Sequence, residues 1–573
     1  MTDSFFFDNP DLQFRLAQLD LREVVELKEK GYSETDKYPA APRNYADARD
    51  NYQIVLEVLG EICAERVAPR AAEADEEGAH FANGQVTYAA PTLDAIGALR
   101  QAELFGAMLP REYGGLNLPE SIYQMMVEIV ARAESGLMTV FGLQEIASCL
   151  EEYGDPETKA RVLPRFSRGE VSGAMVLTEA DAGSDLGAVA TRATLDDATG
   201  QWHLNGVKRF ITNGLADISV VLARSEEGST DARGLSMFLV ERDDTVKIRR
   251  IENKMGIHAS PTCEIQYNNT PAILVGKRRF GLMRYAMNLM NGARLAVGAQ
   301  ALGIAEAAYR EADRYSRERI QFGKPIRSLP AVSRLLLSMR VDLESSRALL
   351  AETARWVDLW KVYDRAVGEG TAPDMDAARA RLRQCQTLAE TLTPMVKYCA
   401  TEMGNRVCYQ SMQVHGGVGY MREFNIERLF RDVRITNIYE GTSQLQVVAA
   451  IGKILNHSLD PLLAEWRAAS YPADMAAEKA ILDELTDVYG KAVDALKAQP
   501  ERDRVDYYAC DLVDTAVWLV NCWLLLRDTN VLESKKAVAR TYIASVAPRL
   551  RASAGVVMAA SPVPLEAIPA LLG

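Results

Sequence analysis

Residues 413–446 read QVHGGVGYMREFNIERLFRDVRITNIYEGTSQLQ, centred on Tyr439-Glu440-Gly441-Thr442. The run ERLFRDVRITNIY (427–439) mixes charged and apolar residues at helical spacing. Gly441 breaks that pattern directly after Glu440. Such a break presents one carboxylate at a helix end, facing a cavity. Upstream, Gly416, Gly417 and Gly419 strip side chains from a short loop, so its backbone can approach a ligand closely. A Glu beside a Gly also reads as a solvated loop residue, and a glycine run alone is a weak signal. The rest of the chain has to decide between these.

The 573 residues exceed what one hydrophobic core holds, so several domains are expected. The 65 basic and 78 acidic residues leave a net charge of −13, which argues against a nucleic-acid or anionic-membrane binder. The eight cysteines show no CxxC pair and read as buried apolar residues in a reducing compartment. The five histidines show no metal-ligand spacing. MTDSFFFDNPDLQ lacks the basic start and apolar core of a signal peptide. The most apolar run, 516–526, is too short to span a bilayer and contains Asn521. A cytoplasmic chain with no transmembrane segment is the expectation.

Residues 1–44 read as an N-terminal extension. From 45 to 171 the pattern is helical, as in ADARDNYQIVLEVLGEICAERVAP (46–69) and ESIYQMMVEIVARAES (120–135), separated by the loop Pro110-Arg-Glu-Tyr-Gly-Gly115. Over 172–282 the texture changes to strand-length runs: SGAMVLTE, QWHLNGVKRFITNG, ISVVLARS, LSMFLVER and CEIQYNN. Asn205-Gly206 there reads as a hairpin turn. Helices return over 283–456, with NLMNGARLAVGAQALGIAEAAYREADRYSRER (288–319) and LLLSMRVDLESSRALLAETARWVDLW (335–360) as long amphipathic segments of a bundle. A separate helical extension, 457–573, carries twelve basic and sixteen acidic residues. The fold class is α+β: helical domain, small β-barrel or sandwich, helix bundle, and an extra C-terminal helical extension.

QVHGGVGY with RDVRITNIYEGTSQLQ resembles the C-terminal signature of the FAD-dependent acyl-CoA dehydrogenases, and four other ordered motifs agree. Met175–Asp185, MVLTEADAGSD, resembles the family's LTEPxAGSD loop, with Ala180 where Pro is common. Phe210-Ile-Thr-Asn213 resembles WITN, with Phe for Trp. Lys254–Cys263, KMGIHASPTC, is similar to a larger-subunit branch that includes 3-methylthiopropanoyl-CoA dehydrogenases. Its His258 reads as a hydrogen-bonded structural residue. Arg319–Lys324, RIQFGK, resembles RxQFGK, although Leu329-Pro330 departs from the family pattern further on.

The resemblance implies FAD as cofactor, held by Met175, Leu177, Thr178, Gly183, Ser184, Phe210, Ile211 and Thr212. It implies further contacts from Thr442 and Gln444. Gln321 and Phe322 are further implied FAD contacts, and Arg319, Gln413, Gly416 and Gly417 would reach a neighbouring subunit's FAD. Ser184, Arg294, Tyr439 and Gly441 are the implied substrate contacts. The family base stands either at the YEGT Glu or just before the Arg of the NGAR segment. Here those positions hold Glu440 and Ala293, so Glu440 is the implied base. The implied reaction is α,β-dehydrogenation of an acyl-CoA to the trans-2-enoyl-CoA in fatty acid metabolism. The α-proton goes to Glu440 and the β-hydride to flavin N5, with an electron-transfer flavoprotein as acceptor. An acyl-CoA oxidase shares these motifs. A flavin-bearing DNA-repair relative would need a basic surface, which the acidic balance opposes. The extension is expected to cap the bundle face used for tetramers, leaving a homodimer.

Overall fold

The computed structural model describes residues 4–573; the first three residues of the predicted N-terminal extension lie outside it. Asn44 starts the helical domain by accepting the Asp47 N–H at 3.0 Å, capping α3 (Tyr45–Ile62). Before it, α1 (Pro10–Gln18) and α2 (Arg22–Lys28) bury Leu12, Phe14, Leu16, Val24 and Val25. After it come α4 (Ala71–Glu77), the hairpin β1 (His80–Ala82) with β2 (Gln85–Thr87), and α5 (Ala90–Gln101). Then follow α6 (Glu120–Ala133), α7 (Ser135–Gly142), α8 (Glu145–Tyr153) and α9 (Pro156–Ser167).

The strands are β3 (Gly173–Val176), β4 (Arg192–Asp196), β5 (Gln201–Thr212), β6 (Ile218–Arg224), β7 (Leu235–Glu241), β8 (Val246–Ile251) and β9 (Thr262–Val275). Their pairing, β6-β4-β5-β9-β7 and back to β6, closes the sheet into a barrel, with β3 and β8 added at its margins. Alternation in β6 explains the apolar run there. Val221 and Ala223 fill the barrel interior with Trp202, Phe238 and Ile265, while Ile218, Val220 and Leu222 pack outward on α8 and α9. Both faces are buried, so the strand reads as continuous apolar sequence.

The bundle holds α10 (Met287–Glu318), the short hairpin β10 (Ile320–Gln321) with β11 (Lys324–Pro325), α11 (Pro330–Glu369), α12 (Met375–His415), α13 (Asn425–Val433) and α14 (Ser443–Leu455). Helix α10 crosses α6 at Gly303, where a Cβ would stand 2.4 Å from the Glu128 carbonyl oxygen. Only glycine permits that approach.

The C-terminal part comprises α15 (Asp460–Ala468), α16 (Ala476–Lys497), α17 (Arg502–Asp528), α18 (Lys535–Ala559) and α19 (Val563–Leu572). It is not separate, as the sequence pattern predicts, but shares one apolar core with the bundle and with α1 and α2. Buried charges stitch the three together. Arg347 of α11 donates to Asp11 at 2.5 Å, Glu128 at 2.7 Å and Glu306 at 2.9 Å. Lys535 pairs with Asp11 and, at 2.7 Å, with Glu344. Arg15 pairs with Asp528 at 2.5 Å.

Three further sequence expectations need correction. Asn205-Gly206 is no turn: β5 runs through it with a bulge, and the β4–β5 connection is at 197–200. Gly206 is there because a Cβ would meet Thr191 Cα at 2.8 Å. Cys510 is exposed and Cys399 half-buried; the other six cysteines are buried as expected. The apolar run at 516–526 belongs to a 27-residue helix, α17, long and apolar enough to cross a membrane by length and composition. Its most apolar window is 78% buried against neighbouring helices, with Trp523 fully covered.

Candidate active site

Glu440 sits in the break between the 3₁₀ turn at 434–437 and α14. Its φ is +55° and that of Gly441 is +91°. A left-handed Glu is sparsely populated and costs conformational energy, a feature that concentrates at functional sites. Two donors hold the turn from behind. Lys397 Nζ donates to the Gly441 carbonyl at 2.7 Å, and Gln446 Nε2 to the same oxygen at 3.0 Å and to Glu440 O at 3.2 Å. Tyr439 is fixed by a hydrogen bond from its hydroxyl to Gln300, which itself bonds Ser135 Oγ at 3.0 Å.

The Glu440 side chain opens onto a cavity lined by Met138, Leu143, Ile146, Leu289, Ala293 and Val297, with Met175 and Thr212 from the barrel. The carboxylate makes no hydrogen bond or ion pair among the described residues. Burial pushes its proton affinity up to about 7, against the pull of Arg294 and Lys397. Neither cation is spent on it: buried Arg294 donates to Asn291 Oδ1 at 3.0 Å, and Lys397 is occupied by Gly441. The Glu440 N–H likewise has no backbone partner among the described residues.

The flavin-type motifs of the barrel meet at one edge. Lys208, buried, donates to the Leu177 carbonyl at 2.8 Å and pairs with Glu179 at 2.9 Å, while the Arg209 N–H donates to Thr178 O at 2.9 Å. A bulge in β5 follows at 208–211, with Phe210 at φ +59°. Bulges of this kind re-aim side chains beside sites. Ile211 is therefore buried in the barrel, Thr212 faces the cavity, and the Phe210 ring stands 52% exposed beside the Arg209 guanidinium. Phe210 does not line the Glu440 cavity. Gly183 and Ser184 are exposed on the following loop.

Arg319 caps the C-terminus of α10, and Gln321 and Phe322 project on the β10–β11 hairpin that follows, Phe322 87% exposed. Arg319 has no side-chain partner among the described residues. Gln413 belongs to the last turn of α12 rather than to a loop, and Gly416 and Gly417 follow it, exposed, with open space where a Cβ would stand. The chain does not bring these six residues to the Glu440 cavity. The Thr442 hydroxyl caps α14 by accepting the Leu445 N–H at 3.4 Å, and Gln444 is exposed. His258 is tied to Asp75 at 3.0 Å and to the Lys254 carbonyl at 2.8 Å, joining the barrel to α4.

Family models of acyl-CoA dehydrogenases match in order: the N-terminal domain over residues 49–170, the middle domain over 174–270, and the C-terminal domain over 283–362 and 371–454. The chain is also 35% identical over 434 residues to the 3-methylmercaptopropionyl-CoA dehydrogenase of Ruegeria pomeroyi, 70% of each chain. This chain belongs to the acyl-CoA dehydrogenase family. It is 32% identical to a short-chain-specific acyl-CoA dehydrogenase of Clostridium acetobutylicum, over 70% of this chain and 97% of that one. Among solved structures, butyryl-CoA dehydrogenase from Megasphaera elsdenii aligns with a TM-score of 0.60 at 29% identity, over 70% of this chain and 98% of that one. An acyl-CoA dehydrogenase complexed with FAD from Bacillus anthracis aligns at 0.76 over 89% of this chain and 88% of that one. At 22% identity this last likeness shows the fold alone, and it reaches into the C-terminal helices that the family models leave out.

Two residues of this acyl-CoA dehydrogenase site escape sequence reading. Lys397 lies in TLTPMVKYCATEM, where one cation interrupts an apolar helix face. Glu145 lies in GLQEIASCL and lines the cavity. A charged residue on an otherwise buried face is the signal each leaves. Lys397 also sets a testable electrostatic balance. Replacing it with Met removes a cation that lowers the proton affinity of Glu440, so any activity limb set by Glu440 is expected to move to higher pH. A limb that stays in place would show that Lys397 serves only to anchor Gly441.

Proposed function

We propose that the chain is an FAD-dependent acyl-CoA dehydrogenase that forms the 2-enoyl-CoA, with Glu440 taking the α-proton. The observation that carries this reading is a carboxylate without a partner among the described residues, desolvated in a largely apolar cavity, beside a backbone N–H that is likewise unpaired there. A carboxylate in water is too weak a base for a thioester α-proton; burial raises its proton affinity to the range a base needs at neutral pH. The Glu440 N–H is the donor for the developing enolate oxygen. Leu143, Ile146 and Val297 exclude water from the acyl chain, and the left-handed turn held by Lys397 and Gln446 orients the carboxylate.

The residues present suit a flavin nucleotide. Met175, Leu177, Thr178 and Phe210 to Thr212 offer backbone edges, hydroxyls and an exposed aromatic beside the cavity. The unpartnered Arg319 fork suits a pyrophosphate, with Gly416 and Gly417 giving backbone access to it. FAD, when bound, supplies the two-electron acceptor for the β-hydride. Since Arg319, Gln321, Phe322, Gln413, Gly416 and Gly417 lie off the Glu440 cavity of their own chain, they serve the cofactor of a second copy. The assembly is then a homodimer, with the C-terminal helices covering the bundle face that a tetramer would use. An electron-transfer flavoprotein in the cytoplasm would be the electron acceptor.

The pH dependence tests the base. The ionised form of Glu440 is the acceptor, so the rate of flavin reduction by substrate should rise about tenfold per pH unit below about 7 and level off above it. A flat stopped-flow profile from pH 5.5 to 8.5 would exclude Glu440 at that proton affinity. The assembly is tested by Arg319→Ala: yellow colour should separate from the protein on gel filtration while the wild type scatters light as a dimer. A monomer that keeps its FAD would overturn the shared-cofactor reading.

A further inference from the structure

Adjoining the Glu440 cavity at Leu289 lies a second one, lined by Glu120, Glu152, Asn288, Gly292 and Lys361 together with apolar Met108. Glu145, at the start of α8, lines both. Its neighbours are spent: Glu120 accepts from Lys361 at 2.6 Å and Gln124 at 2.8 Å, and Glu152 accepts from Asn288 at 2.8 Å. Glu145 is 6% exposed, and its Oε1 is buried without a hydrogen-bond partner among the described residues. Room for the carboxyl comes from Gly292 of α10, where a Cβ would stand 2.8 Å from Glu145 Oε2. The next residue, Ala293, lines the acyl cavity.

We infer that Glu145 is a specificity residue that selects acyl-CoAs whose chain carries a neutral alcohol hydroxyl beyond the reacting carbons. This rests on the acyl-CoA dehydrogenase reading above. Burial, with the Glu120 and Glu440 carboxylates nearby and Lys361 opposing, holds the Glu145 proton affinity well above the usual carboxylate range. Burial therefore favours the protonated acid, which has one O–H to donate and one carbonyl oxygen to accept. A buried polar atom without a partner costs free energy that a ligand can recover. An alcohol satisfies both halves, accepting from the Glu145 O–H and donating to its carbonyl oxygen. A plain alkyl end leaves both unmet. A distal carboxylate meets the Glu120 and Glu152 carboxylates.

The test uses the holoenzyme with hexanoyl-CoA and its 6-hydroxy, 6-amino, 6-carboxy and terminal-thioether counterparts, and with the matching butanoyl set. The hydroxyl member of one set should show a kcat/KM at least about tenfold above its plain analogue. Glu145→Gln, which keeps a donor and an acceptor, should retain that preference, and Glu145→Leu should reduce it to within about threefold. Calorimetric Kd values for the enoyl-CoA products should give the same ratios without turnover. Equal rates for plain and hydroxylated substrates, a preference for the amine, carboxylate or thioether, or an unchanged ratio in Glu145→Leu would each overturn the assignment. Failure of every acyl-CoA to reduce the flavin would instead overturn the dehydrogenase reading, and this one with it.

Discussion

Glu440→Gln is expected to slow substrate-driven flavin reduction by about a thousandfold or more, while FAD stays bound and acyl-CoA affinity changes little. The size follows from the role: positioned proton transfer contributes about 10²–10⁴-fold, and among the described residues Glu145 is the one other carboxyl lining the cavity. Gln preserves shape and the left-handed backbone but cannot accept the α-proton. Glu145 is a poor substitute, because burial favours its protonated form and it faces the second cavity as well. Stopped-flow reduction at saturating substrate measures the step directly. A variant reduced within tenfold of wild type would remove Glu440 from the mechanism.

Arg347→Met is expected to give the largest loss of stability, about 3–5 kcal/mol. The guanidinium is almost fully buried and serves Asp11, Glu128 and Glu306 together. Asp11 would keep Arg15 and Lys535, and Glu306 would keep Arg310. Glu128 would lose its one ion-pair partner among the described residues. Burial already raises the proton affinity of Glu128 against the pull of Arg347, so without that pull it should protonate. Adding Glu128→Gln to Arg347→Met should therefore recover part of the loss, since removing both partners of a buried pair costs far less than removing one. The urea midpoint and limited proteolysis of α1 and α18 report the effect, because Asp11 and Lys535 link those helices through the same cluster. An Arg347→Met midpoint equal to wild type would show that the cluster contributes no net stability.

Much of the fold was legible because its motifs are local. The change from helical to strand texture near 172 reflects side-chain period, which the backbone imposes directly. Asn44 before Tyr45 and Gly441 after Glu440 act within a few residues of themselves. The same locality misled at Asn205-Gly206, where a dipeptide suited to a hairpin serves a bulge because β9 pairs across it. It also misled at 457–573, read as a separate extension, because nothing along the chain says that Asp528 and Lys535 meet Arg15 and Asp11.

The sequence by itself determined the family, the order of helical and strand regions, and Glu440 as the residue to test, since each rests on residue types at short fixed spacing. Only the tertiary structure decided that Glu440 is desolvated and unpartnered, that Lys397 holds its turn, and that Glu145 joins a second cavity to the first. Those are properties of burial and of contacts between segments hundreds of residues apart. Proton affinity and pocket chemistry follow from what surrounds a group in space, which the chain's own spacing does not carry.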